Sequence, residues 1–317
     1  MPSIQKPSMS KNGKVVALTG GTGFIGSHIL ASLLAKHYRV RVLARNPRKI
    51  TLSHPDLNII EGSLHTQPAL NRLVDDADVV IHCAGRVRGA SAEIFHHDNC
   101  IGTENVVTAA ARSQRPADLI LISSLAASNP SISDYAHSKH ESEMVLIQSN
   151  LPHWCIIRPP AVYGPGDTEL KPVFDWMKRG YLWVPGTAKQ HFSLLHISDL
   201  VHLIVQQLSI ANTSKMTLEP DDGKEYTWQD IQRIGEQFFN KEINIIPIPQ
   251  TLLFSVAHTN VLFSRLFNYS PMLTPAKIRE LLHKDWLAKG TPPDWPWKPK
   301  VDLKMGLSTL YSRDDID

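Results

Sequence analysis

The sequence has little cysteine and almost no excess of charge of either sign. Its three cysteines, Cys83, Cys100 and Cys155, are odd in number and far apart, which excludes a disulfide-stabilised scaffold and indicates a reducing compartment. Lysine and arginine number 33 against 30 for aspartate and glutamate, so the composition gives no sign of the basic surface that nucleic acid requires. We therefore predict a cytoplasmic protein that binds no nucleic acid.

Long apolar runs are also missing. The most apolar C-terminal segment, residues 252–267, is interrupted by His258, Asn260 and Arg265 and is shorter than the ~20 residues that a membrane-spanning helix needs. Residues 1–14 are polar and lack the apolar region of a signal peptide, so we expect a flexible tail. Apolar residues still make up 42% of the chain, which is enough for a sizeable core in one large or two modest domains.

What the chain does have is a regular alternation of short apolar runs and helical patterns. Strands are predicted at residues 14–19, 39–44, 57–60, 78–83, 118–123 and 153–158. Helices are predicted at residues 24–37, 101–112, 135–147, 200–208, 228–239, 252–267 and 274–282, the fourth with Ser198 or Asp199 as its N-cap. Such alternation builds a parallel sheet, so we predict an α/β fold: a doubly wound Rossmann sheet with a smaller, mainly helical C-terminal domain.

The alternation weakens after about residue 165, where glycine, proline and aromatic residues become frequent. We assign residues 15–165 and 192–220 to the Rossmann domain. Residues 166–191 and 221–317 are assigned to a substrate-binding domain that rests on the sheet.

A glycine-rich turn joins the first predicted strand to the first helix. It reads TGGTGFIG over residues 19–26, and this strand–turn–helix position is the context that a dinucleotide fingerprint requires. Gly20 permits the tight turn, Gly23 lets the backbone approach a pyrophosphate, and Gly26 allows close packing of helix on strand. The helix N-terminus then offers free N–H groups to the anion. The predicted cofactor contacts here are Gly20, Thr22, Gly23, Phe24, Ile25 and Gly26.

The end of the second strand predicts which dinucleotide binds. An NAD site usually carries an acid there for the ribose 2′-hydroxyl, but this chain has Ala44 and Arg45. A guanidinium suits a phosphate, so we favour NADP with Arg45 as the main contact. NAD is the alternative, in which Arg45 is an ordinary solvated charge.

Three polar residues form a candidate site for carbonyl reduction. Ser124 follows a predicted strand, and Tyr135 and Lys139 lie four apart on one helix, so their side chains share a face. A free phenol holds its proton too tightly at pH 7 to exchange it readily. A nearby cation and an oxidised nicotinamide lower its pKa, so we predict Tyr135 as acid/base, Lys139 as its electrostatic partner and Ser124 as the positioning group.

These motifs together resemble the extended type of the short-chain dehydrogenase/reductase superfamily, also called the NAD-dependent epimerase/dehydratase family. The resemblance rests on TGGTGFIG, HCAG (82–85), DNCIGTENV (98–106), ISSLAAS…YAHSK, RPPAVYGPGD (158–167) and FSLLHISDL (192–200). It implies an NAD(P)-dependent enzyme with a small-molecule substrate, and a homodimer formed through the helices at 101–112 and 135–147. It also assigns to Asn99 a supporting role in catalysis. The further cofactor-binding residues that it implies are Cys83, Ala84, Gly85, Pro159 and Val162, beside Tyr135 and Lys139.

Departures from the family's patterns narrow the reaction. Dehydratases of this family carry an acidic pair after the site serine, where this chain has Leu125 and Ala126. Nucleotide-sugar epimerases usually carry an arginine where this chain has His191, which weakens that interpretation. The short link between Ser124 and Tyr135 resembles the 3β-hydroxysteroid-dehydrogenase-like branch and its bacterial reductases of keto lipids such as ketosphinganine or oxidised ceramide.

We therefore predict an NADP-dependent ketone/alcohol reductase or dehydrogenase acting on an apolar, lipid-like substrate. The alternatives are a nucleotide-sugar epimerase with tightly bound NAD and a non-catalytic dinucleotide-binding scaffold. The apolar helix at 252–267 either packs as core, caps an apolar cleft or touches a bilayer surface. The fifteen histidines show no metal-binding spacing, so no metal site is expected.

Overall fold

The computed structural model describes residues 13–209, 215–267, 269, 271 and 273–312. The predicted flexible tail, residues 1–14, therefore lies almost wholly outside the described residues. The strands, in chain order, are β1 (Val15–Thr19), β2 (Arg39–Ala44), β3 (Leu57–Glu61), β4 (Val79–His82), β5 (Asp118–Ile122), β6 (Trp154–Ile157), β7 (Ala161–Tyr163), β8 (Tyr181–Pro185), β9 (His191–Phe192), β10 (Leu194–His196), β11 (Met216–Leu218), β12 (Tyr226–Thr227), β13 (Asn244–Ile248) and β14 (Asp285–Trp286).

The helices follow the strands in regular alternation through the first half of the chain. They are α1 (Phe24–Ala35), α2 (Gln67–Val74), α3 (Ala92–Phe95), α4 (Gly102–Arg112), α5 (Asp134–Ile147), α6 (Lys171–Lys178), α7 (Ile197–Gln207), α8 (Trp228–Phe239), α9 (Gln250–Phe267), α10 (Pro275–Leu282) and α11 (Leu303–Leu307). A π-helical turn, His96–Ile101, continues α3 directly into α4.

Seven parallel strands form the central sheet in the order β11-β6-β5-β4-β1-β2-β3. The order reverses between β1 and β4, and ligands of such sheets bind outside the carboxyl ends of the strands at that point. The central strands are apolar and buried on both faces, as their composition predicts for a parallel sheet. The predicted Rossmann fold is thereby confirmed.

Helices cover both faces of this sheet. On one face, α1 and α7 pack side by side over the apolar side chains of β1 and β2. On the other face, α2, α4 and α5 bury a second apolar cluster. Each crossover helix thus covers the sheet next to the strands that it connects. Because the strands are parallel, their carboxyl ends lie at one common edge of the sheet.

The C-terminal region adds a third apolar core with short strands of its own. This core holds Tyr163, Phe174, Tyr226 and Phe239 between α6, α8 and the β8–β13 pair. The remaining strands pair as β7 with β10 and as a three-stranded sheet β12-β9-β14. The central sheet takes its strands from residues 15–157 and 216–218.

One expected helix cap is wrong. The helix α7 begins at Ile197, and the side chain of His196, rather than of Ser198 or Asp199, accepts the capping hydrogen bond from the Ser198 amide. The Asp199 carboxylate instead accepts the backbone N–H groups of residues 300 and 301, both at 2.8 Å. The Asp199 carboxylate therefore makes a long-range contact and does not cap the helix locally.

Gly26 is the position where the fold tolerates least added volume. A methyl group there would lie 2.0 Å from the carbonyl oxygen of Gly20, whereas one at Gly23 would lie 3.4 Å from the same oxygen. We expect Gly26→Ala to lower the free energy of unfolding by roughly 1–3 kcal/mol or more, because backbone has to move, and Gly23→Ala to lower it far less. Denaturant titration of both variants measures the difference, and equal losses would contradict this close approach of helix and strand.

Candidate active site

The glycine-rich turn has the geometry of a phosphate cradle. Gly20 adopts a positive φ of 78°, and a methyl group there would lie 2.6 Å from the backbone nitrogen of Ala84. Gly23 donates its N–H to Gly20 at 2.9 Å and stands at the N-cap of α1, with Thr22 and Gly23 exposed. The backbone therefore leaves open space in front of the helix N-terminus, which fits a dinucleotide pyrophosphate.

The exit of β4 lies directly against this turn. The Thr19 hydroxyl accepts from the Ala84 amide at 3.1 Å and contacts His82 Nδ1 at 2.7 Å. Burial lowers the pKa of His82 to about 3, so this histidine stays neutral. The crevice where the strand order reverses, beside the glycine turn, is thus lined by Cys83, Ala84 and Gly85. The neutral His82 below them adds no charge to it.

Asn99 joins the β4 exit to the helix that carries the candidate catalytic residues. Its side-chain oxygen accepts from the Arg86 amide at 2.6 Å, and its amide nitrogen donates to the Arg86 carbonyl at 3.0 Å and to Ser138 Oγ at 2.9 Å. Every one of these bonds is internal, because Asn99 is buried. The structure therefore gives Asn99 a positioning role between two elements of the site.

Lys139 is buried at the same edge. Its ammonium donates to the Ile122 carbonyl at 2.8 Å, and a methyl group at Gly85 would stand 3.7 Å from its Nζ. Burial lowers the pKa of Lys139 to about 8, although the charge of nearby Glu143 acts in the opposite direction. The structure thus brings Lys139 next to the residues that line the crevice.

Tyr135 lies one helical turn before Lys139 and is half-buried. Its ring packs edge-on against Phe95 with centroids 6.0 Å apart, and its hydroxyl is hydrogen bonded to Ser124. Burial raises the pKa of Tyr135, and this outweighs the lowering by the Ser124 hydrogen bond and by the charge of Lys277. Sequence reasoning predicted a lowered pKa from Lys139 and an oxidised nicotinamide, so burial is the influence that it omitted.

A cleft beside Tyr135 is closed by a helix that sequence reasoning left out of the site. Lys277 and Glu280 of α10 line it together with Arg88 and Ser133. Lys277 Nζ donates to Glu280 at 2.8 Å, and Ser133, the N-cap of α5, donates its hydroxyl to the same carboxylate. The contact between Ser133 and Glu280 joins residues 147 positions apart, so no local pattern could have indicated it.

A buried ion network below the site was also missed. Arg158 donates to Glu143 of α5 at 2.6 Å and to Glu219 at 3.0 Å, and Ser123 donates its hydroxyl to Glu143. Burying charges is tolerated only when they are paired and hydrogen bonded, as these are. The network fixes α5 against the ends of β5, β6 and β11.

The remaining predicted cofactor residues lie around the crevice at different depths. Phe24 and Ile25 begin α1 and are partly buried, while Gly26 is buried beneath them. The Pro159 carbonyl accepts from the Leu125 amide at 2.9 Å, which joins the segments after β6 and β5. Val162 lies on β7 and packs against the core of the α1–α7 face.

Arg45 follows the last residue of β2 and is exposed. The next residue, Asn46, caps a short turn by accepting the Arg48 amide at 3.1 Å, so that Arg45, Arg48 and Lys49 stand together at this strand end. The acid nearest in register is Glu61, opposite Ala44 on the outer strand β3.

The apolar helix α9 is only partly covered. Leu253 and Ala257 pack against Ile278 of α10. On other faces it exposes Leu252, Val256, Leu262, Phe263 and Phe267. Among the helices in the described part of the chain, none combines the length and the hydropathy needed to cross a bilayer.

Comparison with known proteins gives a consistent grouping. Residues 16–215 match the model of a family described as NAD dependent epimerase/dehydratase. Over 296 residues the chain is 33% identical to a ceramide reductase of Caulobacter vibrioides (strain NA1000 / CB15N), and the match covers 92% of this chain and 90% of that protein. It is 27% identical over 227 residues to the Homo sapiens sterol-4-alpha-carboxylate 3-dehydrogenase, decarboxylating, covering 63% of this chain and 60% of that protein.

Among solved structures, the fold is similar to that of MoeE5 in complex with UDP-glucose and NAD. The TM-score is 0.69, with 17% identity, and the match covers 94% of this chain and 97% of that chain. Identity this low shows a shared fold and does not transfer a substrate.

The ion network below the site predicts a large effect for one isosteric change. Glu143→Gln leaves the partly buried Arg158 with a single carboxylate, and breaking such a pair costs ~3–5 kcal/mol of folding free energy. Arg233→Gln, which removes an exposed pair with Asp230 on α8, should cost less than ~1 kcal/mol. Denaturant titrations compare the two variants, and a loss as small in Glu143→Gln as in the control would refute the structural role of the network.

Proposed function

The chain belongs to the NAD dependent epimerase/dehydratase family, and on that premise we propose that it is an NADP-dependent ketone/alcohol oxidoreductase acting on an apolar, lipid-like substrate. The observation that carries the proposal is that Tyr135 interacts with Ser124 while Lys139, one turn later on α5, is buried at the sheet edge where the glycine turn opens. A proton donor and a buried cation beside a dinucleotide cradle are the parts that carbonyl reduction needs.

The glycine turn at residues 20–26 would hold the dinucleotide, with Arg45 at its 2′-phosphate, and the nicotinamide would supply the hydride chemistry of carbonyl reduction or alcohol oxidation. The Ser124 hydroxyl holds the substrate oxygen, and Tyr135 donates its phenolic proton to that oxygen during reduction. The Lys139 ammonium stabilises the phenolate that remains, and Asn99 keeps α5 in place through Ser138.

Three observations support an apolar keto substrate over a nucleotide sugar. The relative at 33% identity over nearly the whole chain is a ceramide reductase, and the sterol dehydrogenase also acts on a lipid, as its name states. In addition, the position where nucleotide-sugar epimerases usually carry an arginine is His191 in this chain. This histidine is exposed on β9 and bonded to Glu225. Leu125 and Ala126 follow Ser124 as buried apolar residues, so no acidic pair is present there for eliminating water. The epimerase alternative rests on the family match, which covers epimerases and dehydratases together, and on a similarity of fold.

We also propose the partners and location that the sequence suggested. An apolar substrate is most accessible at a membrane surface, and the exposed apolar side chains of α9 support peripheral contact with a bilayer. We also propose a homodimer through α4 and α5, as the family resemblance implies. Cys83, Cys100 and Cys155 are free thiols, which supports a cytoplasmic location.

Tyr135→Phe tests the proposed chemistry. The variant removes one hydroxyl, so NADPH should still bind, while NADPH oxidation with an active keto lipid should fall by roughly 10²–10⁴-fold for loss of the proton donor. Tyr181→Phe removes the same hydroxyl from an exposed tyrosine on β8 and should keep the full rate. Keto lipids and UDP-sugars are screened with the native protein by NADPH fluorescence. Full activity in Tyr135→Phe, or turnover of UDP-sugars without net NADPH consumption, would reject the proposal.

Arg45→Ala tests the preference for NADP. A guanidinium bonded to the 2′-phosphate contributes about 1.5–3 kcal/mol, so NADPH affinity should fall by ~10–150-fold while NADH affinity stays nearly constant. Arg39→Ala, at the opposite end of the same strand, is the matched control and should bind both cofactors like the native protein. Fluorescence titration provides the affinities. If Arg45→Ala lowers the affinity for both cofactors equally, or for neither, Arg45 does not bind the 2′-phosphate of NADPH.

A further inference from the structure

One cluster outside the proposed active site brings together side chains that bind divalent metal ions. His96 and Cys100 belong to the π-helical turn, and His137 and Glu141 lie on α5, which packs against that turn. His137 and Glu141 are one turn apart and therefore share a helix face. The two elements meet there, because His96 Nδ1 lies 2.9 Å from Glu141 Oε2 and His137 Nε2 lies 3.6 Å from Glu141 Oε1.

The spacing of the ligand atoms suits one tetrahedral ion. Nδ1 of His96, Sγ of Cys100 and a carboxylate oxygen of Glu141 all lie within 4.8 Å of one another. Zinc binds nitrogen and oxygen at ~2.0–2.2 Å and sulfur at ~2.3 Å, so its ligand atoms stand ~3.3–3.7 Å apart. Side-chain shifts of about 1 Å are therefore enough to form the site.

The cluster is open to solvent and carries a soft ligand at its base. The side chains of His96 and His137 are 49% and 62% exposed, whereas Cys100 is buried beneath them as a free thiol. Calcium and magnesium prefer sites built from oxygen alone. A thiol combined with imidazole and carboxylate is typical of zinc.

We propose that His96, Cys100 and Glu141 bind a zinc-class divalent cation, with His137 beside its fourth position. Binding forms a sulfur–metal bond, and the thiol proton leaves to solvent. The ion links the turn that carries Asn99 to the helix that carries Tyr135, and so fixes two elements of the proposed active site against each other. The sequence predicted no metal site from the spacing of its histidines, and the ligands proposed here are divided between two segments.

A neighbouring cluster of His65, His97 and Asp98 fits an ion less well. Asp98 already accepts a hydrogen bond from Arg86 Nε at 2.6 Å. Its ligand atoms also lie within 4.8 Å of one another, but the two imidazoles stack with centroids 3.9 Å apart and planes within 24°. It also lacks a thiol, which separates the two clusters spectroscopically.

The test is a titration of Co²⁺ into the untagged, metal-free full-length protein, followed by absorbance. We expect each chain to bind one Co²⁺ with a thiolate-to-cobalt charge-transfer band and the visible bands of a tetrahedral ion, and Zn²⁺ to displace it. Thermal unfolding should shift to a higher Tm with added Zn²⁺, because the ion binds the folded chain. Neither readout depends on catalysis, so the result is independent of the proposed reaction.

Three variants make the titration decisive. Cys100→Ser should lose the charge-transfer band, and His96→Asn, at an exposed position that the fold does not depend on, should bind Co²⁺ about tenfold or more weakly. Cys155→Ala removes a buried thiol on β6, away from the cluster, and should keep the band. A native protein without the band, or a band that survives in Cys100→Ser, would overturn the proposal.

Discussion

A single buried cation constrains much of this structure. The Lys139 ammonium enters the sheet edge and donates to the Ile122 carbonyl at 2.8 Å, in an environment that lowers its pKa to about 8. Since the unfolded chain holds this proton up to a pKa near 10.5, the group opposes folding at neutral pH, and stability rises as the pH increases from about 8 to 10.5. Such a position persists only if its surroundings hold α5 firmly, and the role proposed for Lys139 would account for a buried charge that opposes folding.

Contacts near both ends of α5 hold this helix in place. At its N-terminus, the Ser133 cap is bonded to Glu280 of α10, so the C-terminal region holds the turn on which Tyr135 sits. Farther along, Glu143 joins Arg158, whose second partner is Glu219 after the last sheet strand. Contacts from both regions of the chain thereby fix the position of α5, which carries the proposed catalytic residues, relative to the ends of the sheet strands.

The sheet and the glycine turn could be predicted from sequence because their signals are local. The strand β2 has the predicted bounds Arg39–Ala44, and the glycines at 20 and 26 make the close approaches expected of the fingerprint. Contacts between distant segments left no such signal. Asp199 was predicted as one of two possible caps of α7, yet it holds residues 300 and 301, and nothing in the sequence around Glu143 indicates its pairing with Arg158. Propensity describes a residue's neighbours in sequence, whereas these roles depend on neighbours in space.

The π-helical turn shows how one irregular segment can serve two surfaces. Its wider backbone winding turns Asn99 inward, where the side chain bonds to Arg86 and Ser138, and leaves His96 on the outside against Glu141. Extra residues in a helix are retained mostly where they re-aim side chains at functional sites. Because Asn99 and Cys100 are adjacent in the chain, a ligand bound at the outer surface of the turn also restrains the residues on its inner surface. The coupling would then act through the position of α5, the same helix whose buried lysine constrains the rest of the site.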